Sequence, residues 1–382
     1  MSELVVNASN IVSPLCYTIL KLEPYTACPF GCVYCYSRWY SRGPPATTAP
    51  RGHVVELFEF TARCIRRRGL KPIPFRLSTL VDPFPPGEEL SRISERILEV
   101  AERFEYPLIV NTKSSRIVEA ESTRRSLERL LDRGLAVVQV SLSTLEDSKA
   151  RLLEPLAPPP SRRLQALSEL GSRGYPVVVR LSPFIPGLSP TSEEEAGEVV
   201  STLRDVGARH VVVEALRVER EGAAWLVERL GLRDLEFEAY SIREVGGAPP
   251  VVRVSLGQRL VAYSSLYRHA ARLGVGFSTC KEGLFRFHAG DDCCGAYLLR
   301  VDYSLRATLW DLYRAGMNPL AVGWEELDRV CRRFSRLCGE LLKQYPRVIS
   351  KPLRYHERKL LRVLKDPSVL QRVAPDAIPA ST

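Results

Sequence analysis

Short apolar runs alternate with amphipathic stretches through the first 215 residues of this chain. The runs lie at 17–22, 73–79, 108–112, 136–142, 177–181 and 210–215. Between them, apolar residues recur at helical spacing over 53–68, 88–104, 115–133, 161–173 and 192–206. Gly69, Gly134, Gly174 and Gly207 stand where left-handed stops would close four of those helices. Thr191 and Glu194 have the spacing of a capping box. Strands that alternate with helices at intervals of about 30–40 residues form βαβ units and a parallel sheet. Six such units curl into an incomplete barrel. The expected fold class is α/β: a partial (β/α)6 TIM-like barrel with a mostly helical C-terminal extension. Parallel barrels keep their chemistry at the C-terminal ends of the strands, so the residues just after each run are the candidates for function.

Domain limits are expected at 1–232 for the barrel, 233–365 for an extension with a Cys-rich segment and basic helices, and 366–382 for a frayed tail. A Pro- and Gly-rich loop is expected at 38–51 and a Gly/Pro hinge at 246–250. The start of the chain has no basic segment followed by a long apolar core, so no signal peptide is expected. No run reaches the length of a membrane span. These features point to the cytoplasm. With 54 basic and 44 acidic residues the net charge is +10, which permits an acidic partner such as nucleic acid without requiring one.

The densest chemistry lies directly after the first run. Cys28, Cys32 and Cys35 fall within eight residues, with Pro29 and Gly31 between the first two. Thiolates are soft ligands that select iron–sulfur clusters, zinc or copper(I). A zinc site closes with four ligands, usually as two separated pairs, and no partner pair lies nearby. Three thiolates can hold three corners of a 4Fe–4S cube and leave the last iron open to a substrate or cosubstrate. Three purely structural cysteines, or half of a zinc site, is the bland alternative.

C-x3-C-x2-C with Tyr34 before the last cysteine resembles the signature of radical S-adenosylmethionine (SAM) enzymes. The lead-in Glu23-Pro24-Tyr25-Thr26-Ala27 is similar to that of the subgroup resembling spore photoproduct lyase, where Asn and Gly replace Glu23 and Ala27. Both departures read as tolerated variants. The resemblance implies a 4Fe–4S cluster on Cys28, Cys32 and Cys35, with SAM on the open iron. One electron, from a flavodoxin- or ferredoxin-like donor, would cleave SAM to methionine and a 5′-deoxyadenosyl radical that abstracts hydrogen from a substrate. It also implies a lyase-like reaction, in the type case on nucleic acid. Tyr34 could pack on the adenine.

The strand ends supply further candidates. Asp82, in a Thr-x-x-Asp-Pro segment resembling one in that subgroup, could accept from the SAM ammonium; the alternative is a capped turn. Thr112 and Lys113 match a Thr-Lys whose cation approaches the SAM carboxylate. Ser141 and Ser143 share a strand face with Gln139 and could bond the ribose, or each other through water. Glu154 and Arg163 read as an ion pair organising a loop. Arg180 interrupts an apolar run, so it must meet an anion: SAM, Glu154 or Glu214.

Beyond residue 232 a helix is expected over 256–273, followed by Cys280, His288, Cys293 and Cys294 within fifteen residues. These four form a candidate second metal or auxiliary cluster site. A disulfide, a substrate-facing thiol and plain structure are the alternatives. Cys331 and Cys338 would share one face of a helix over 324–345 and pack as small apolar residues. Cys16 and Cys64 read the same way. The basic residues from Arg332 to Lys365 are a solvated helical face or a nucleic-acid surface. A non-enzymatic iron–sulfur scaffold or electron carrier on the same fold is the alternative function.

Overall fold

A computed structural model of the protein describes residue 4 and residues 15–37, 48–240 and 251–378, the side chains at 363 and 364 excepted. Most of the expected loop at 38–51, the hinge at 246–250 and the last four residues of the tail lie outside the described residues.

All six expected runs contain strands: β1 (Lys21–Leu22), β2 (Phe75–Leu77), β3 (Leu108–Thr112), β4 (Ala136–Leu142), β5 (Val177–Phe184) and β6 (Ala208–Ala215). Three strands, β7 (Arg217–Glu219), β8 (Phe237–Ala239) and β9 (Val251–Val254), form a small antiparallel sheet beside the end of β6. Then β10 (Gly276–Thr279) returns to the main sheet. Its order is β1-β2-β3-β4-β5-β6-β10, every neighbour parallel. The partial barrel thus has a seventh strand, supplied from the segment expected to be helical extension. β2 is shorter than its run because Pro74 has no N–H for a ladder, so pairing starts at Phe75.

Period-two alternation sorts the strand residues. Leu108, Val110, Val138, Val140, Val179, Val211 and Val213 face outward into a core shared with the surrounding helices. Ile109, Val137, Val178 and Val212 face inward, where they meet Cys280, Cys293, Cys294 and Trp310. The barrel floor is therefore plugged by the chain that follows β10, and the polar side chains lie above it at the strand ends.

Several helices differ from expectation for local reasons. The stretch over 88–104 divides into Glu88–Ser91 and Ile93–Phe104 at Arg92, whose φ is 51°. The stretch over 115–133 divides at Ala120, which is extended. The capping box sits one residue later than expected: Ser192 caps and Glu195 reaches back. Gly69, Gly134, Gly174 and Gly207 do take positive φ.

Three C-terminal expectations fail. The helix over 324–345 ends at Arg333. Ser335, with φ 52°, turns the chain, and Arg336 reaches the buried Asp311 at 3.0 Å. Residues Arg336–Leu337 then pair with Leu305–Arg306. Cys331 and Cys338 are both buried, but they are joined by a disulfide instead of lying free on one helix. The tail does not fray up to residue 378. Asp366 caps the helix Pro367–Val373 and Leu370 and Val373 are buried; Asp376 binds Arg286. Among the described residues, no helix is long and apolar enough to cross a membrane.

Candidate radical SAM site

The cysteine loop leaves β1 at the C-terminal mouth of the barrel. Gly31 turns it with φ 65°, a conformation that costs glycine little. Two backbone hydrogen bonds, Val33 N to Leu153 O (2.9 Å) and Leu156 N to Phe30 O (3.2 Å), dock it on the segment after β4. Cys28, Cys32 and Cys35 are half-buried and free of disulfides. Burial, aided by the Asp82 carboxylate, pushes the Cys28 thiol up to about 11, while backbone N–H groups of Phe30 and Asp82 favour its thiolate. Burial pushes Cys32 up to about 12 against the pull of Lys113. Both thiols feel the charge of Cys35, so the three sulfurs are electrostatic neighbours.

Behind the loop lies Glu154. It accepts from the hydroxyl of Tyr34 and from Arg163, and Lys113 Nζ stands 3.6 Å away. Burial would raise its pKa, but Lys113 and Arg163 hold it down at about 2. Arg163 also donates to Pro158 O and Ser141 O. The Glu154–Arg163 pair thus forms, and it fastens the β4 end to the cysteine loop. Lys113 sits 5.8 Å from the centre of the Tyr34 ring.

Asp82 is buried and serves the protein on both oxygens. Oδ1 accepts from Phe84 N (3.0 Å) and Thr112 Oγ1 (2.8 Å). Oδ2 accepts from Lys113 N (2.7 Å) and the same hydroxyl (3.0 Å). A carboxylate has about four acceptor sites, and three protein donors occupy most of them. Asp82 and Thr112 therefore tie the β2 and β3 ends together. Arg180 is likewise engaged: it binds Glu214 Oε2 at 2.9 Å, not Glu154. Glu214 also takes Arg217 and, at 3.4 Å, Lys281. Ser141 is half-buried. The Ser143 hydroxyl is buried with no hydrogen-bond partner among the described residues.

The candidate second site is not assembled for a single metal ion. Among the described residues no three His, Cys, Asp or Glu side chains gather to hold one metal ion. His288 bonds Thr279 Oγ1 at 2.8 Å and its ring meets Trp310, centroids 4.7 Å apart. Burial lowers its pKa to about 3. Cys280 faces Arg180, which with Lys281 draws the thiol down against its burial. Cys294 contacts Cys293 at 3.9 Å and Thr18 at 3.3 Å. The bond from Cys293, with Arg76 and Thr18, brings its thiol to about 5 despite burial. Arg180 and Arg76 thus favour the thiolates of Cys280 and Cys294, while Cys293 is held as a thiol.

The same criterion does not argue against a cube on Cys28, Cys32 and Cys35, because a 4Fe–4S cluster takes each thiolate at its own iron. Three thiols outside any disulfide on one loop, with N–H groups already turned to Cys28, fit such a cluster. The orphaned Ser143 hydroxyl fits a polar cosubstrate at the mouth.

Residues 22–202 match the family model of the radical SAM superfamily. They are a radical SAM domain. Two curated proteins resemble this domain in sequence. An uncharacterized protein of Acidianus two-tailed virus is 29% identical over 143 residues, 37% of this chain and 45% of that protein. One from Methanocaldococcus jannaschii is 24% identical over 172 residues, 44% and 61% respectively. The match thus spans less than two thirds of either relative. Among solved structures, a cysteine-to-serine variant of spore photoproduct lyase superposes with TM-score 0.53 at 14% identity, over 69% of this chain and 77% of that one. Spore photoproduct lyase complexed with a dinucleoside spore photoproduct gives 0.51 at 14%, over 72% and 84%. The radical SAM domain therefore shares its fold with a radical SAM enzyme.

Reasoning from sequence missed Glu23, read as a tolerated variant. Its carboxylate accepts from the hydroxyls of Ser78 and Thr79 and from the backbone N–H of Thr79 (3.0 Å) and Leu80 (3.1 Å), with Lys21 at 3.5 Å. The one signal was an acid directly before the cysteine loop. Gln139, bonded to Cys294 O and to Arg76 and Arg180, was read with the serines, but it braces the barrel floor.

Proposed function

We propose that this protein is a radical SAM enzyme that binds a 4Fe–4S cluster through Cys28, Cys32 and Cys35 and binds SAM beside it. The observation that carries the reading is the set of three neighbouring cysteine thiols, none in a disulfide, on one loop at the mouth of the radical SAM domain. When bound, the cluster supplies one electron to the sulfonium of SAM, whose cleavage supplies the 5′-deoxyadenosyl radical for hydrogen abstraction. The chain's part is binding, orientation and exclusion of water. Phe30 N–H and Asp82 N–H stabilise the Cys28 thiolate, and Lys113 does the same for Cys32. Ser143 and Ser141 offer hydroxyls to the ribose. Tyr34, fixed by Glu154, offers a ring edge for the adenine. Asp82, Thr112 and Arg180 position the strand ends instead of contacting SAM. The reductant would be a flavodoxin- or ferredoxin-like protein, in the cytoplasm.

The test is anaerobic reconstitution followed by iron and sulfide counts and electron paramagnetic resonance of the reduced protein. SAM is expected to change the resonance of the reduced cluster, as a ligand on an open iron must. A spectrum indifferent to SAM, with a full complement of iron, would leave an electron carrier in place of the enzyme.

A further inference from the structure

The helix Arg347–Leu364 carries Arg347, Lys351, Arg354 and Arg358 at intervals of three or four residues. That spacing aligns them on one face. Like charges so placed repel one another, and no acid interrupts the stripe on its own face. The stripe lines a cleft of about 510 Å³, opposite Arg68 from the end of the helix Gly52–Arg67 and Lys343. All six cations are exposed. Among the described residues only Lys343 has a carboxylate within salt-bridge distance, that of Glu340; Arg68 donates to Gln344 O at 2.6 Å.

Arg354 and Arg358 also border a second cavity, of about 410 Å³, walled by Trp324 and Leu327. Trp324 is 51% exposed. The acids of this cavity are occupied: Asp328 by Arg332, Glu340 by Lys343, and the buried Glu357 by the backbone N–H of Gly339. A concave cationic track of roughly 16 Å along the helix thus runs past an exposed indole.

We propose that this track binds single-stranded nucleic acid, with Arg347, Lys351, Arg354 and Arg358 on successive phosphates and Trp324 stacked on a base. Cations that follow a backbone and an aromatic ring that takes a base of any identity are the two parts of such a site. A flat lipid surface would use neither the concavity nor the indole face. The inference rests on the C-terminal surface alone and stands apart from the radical chemistry.

Fluorescence anisotropy tests it, using the anaerobic, cluster-loaded full chain and a fluorescein-labelled oligodeoxythymidylate roughly 20 nucleotides long. Binding is expected with a log–log salt slope of about −3, as four phosphate contacts give on a single strand. Arg354→Ala with Arg358→Ala should weaken binding at least about 10-fold and flatten the slope by about 1.4. Arg354→Lys with Arg358→Lys should keep the slope, and this pair carries the test if the alanine pair melts early. Trp324→Ala should weaken binding about 10-fold with the slope unchanged. Three results would overturn the proposal: no binding at low salt, a slope indifferent to Arg354 and Arg358, or equal affinity for phosphatidylserine vesicles with the same dependence on these residues.

Discussion

Glu23 and Thr79 are joined twice: the carboxylate of Glu23 accepts the backbone N–H of Thr79 at 3.0 Å and its hydroxyl as well. The acid sits one turn of chain before the cysteine loop, and Thr79 opens the segment that carries Asp82. Asp82 in turn holds Thr112 and Lys113. Three strand ends are thereby fastened into one mouth by two carboxylates.

Replacing Glu23 by Ala leaves several buried donors without an acceptor, each costing about 1–3 kcal/mol. Glu23→Ala should expose the Thr79 and Leu80 amides to hydrogen exchange at least about 10-fold faster, and Glu23→Gln should do so less. Native-state exchange read by mass spectrometry checks this, and unchanged protection of residues 78–80 would contradict the clamp.

Glu154 is a buried anion between two cations. Its folded pKa is held at about 2, below the ordinary value of 4.5. Stability from this group is therefore complete above pH 4.5 and is lost as pH falls from 4.5 towards 2. Glu154→Gln should cost about 3 kcal/mol at neutral pH, as breaking a buried pair does, and should flatten that acid limb. Urea denaturation across this range measures both effects. A variant within about 0.5 kcal/mol of the wild type would show that the pair does not hold the loop.

Glu88 has the opposite sign. Burial raises its pKa from 4.5 to about 7, and it accepts from the Tyr25 hydroxyl and from Glu95 N. Stability from this group is complete below pH 4.5 and declines as pH rises through 7. Melting temperatures of the wild type should fall over that interval relative to Glu88→Gln. Parallel curves would mean that the carboxyl titrates normally.

The ligand assignment makes a sharp distinction among ten cysteines. Cys28→Ser, Cys32→Ser and Cys35→Ser should each abolish the cluster's visible absorbance after reconstitution. Cys293→Ala with Cys294→Ala should leave the iron count unchanged, since that pair is spent on the barrel floor. Lower iron in the double variant would reinstate a second site.

The alternation of apolar and amphipathic segments was legible because it is local: each strand and each Gly stop depends on neighbours in sequence. The cysteine loop was legible for the same reason, all three thiols lying within eight residues. β10 was not, because Gly276–Thr279 is a short run that makes sense only against β6. Nor was the end of the helix at Arg333, which depends on Arg336 finding Asp311. A charged residue's type does not reveal whether its partner is the protein or a ligand, so Asp82 and Arg180 kept both readings in the sequence and Glu23 passed as a variant. These partners lie on other strand ends, at least 30 residues away in each case.

The central claim is a cluster with one iron open to SAM. The reconstituted protein, reduced with dithionite under anaerobic conditions and incubated with SAM, tests it by liquid chromatography with mass spectrometry. The account predicts 5′-deoxyadenosine and methionine in equal amounts, absent from the Cys32→Ser variant. Intact SAM beside a fully reduced cluster would contradict it.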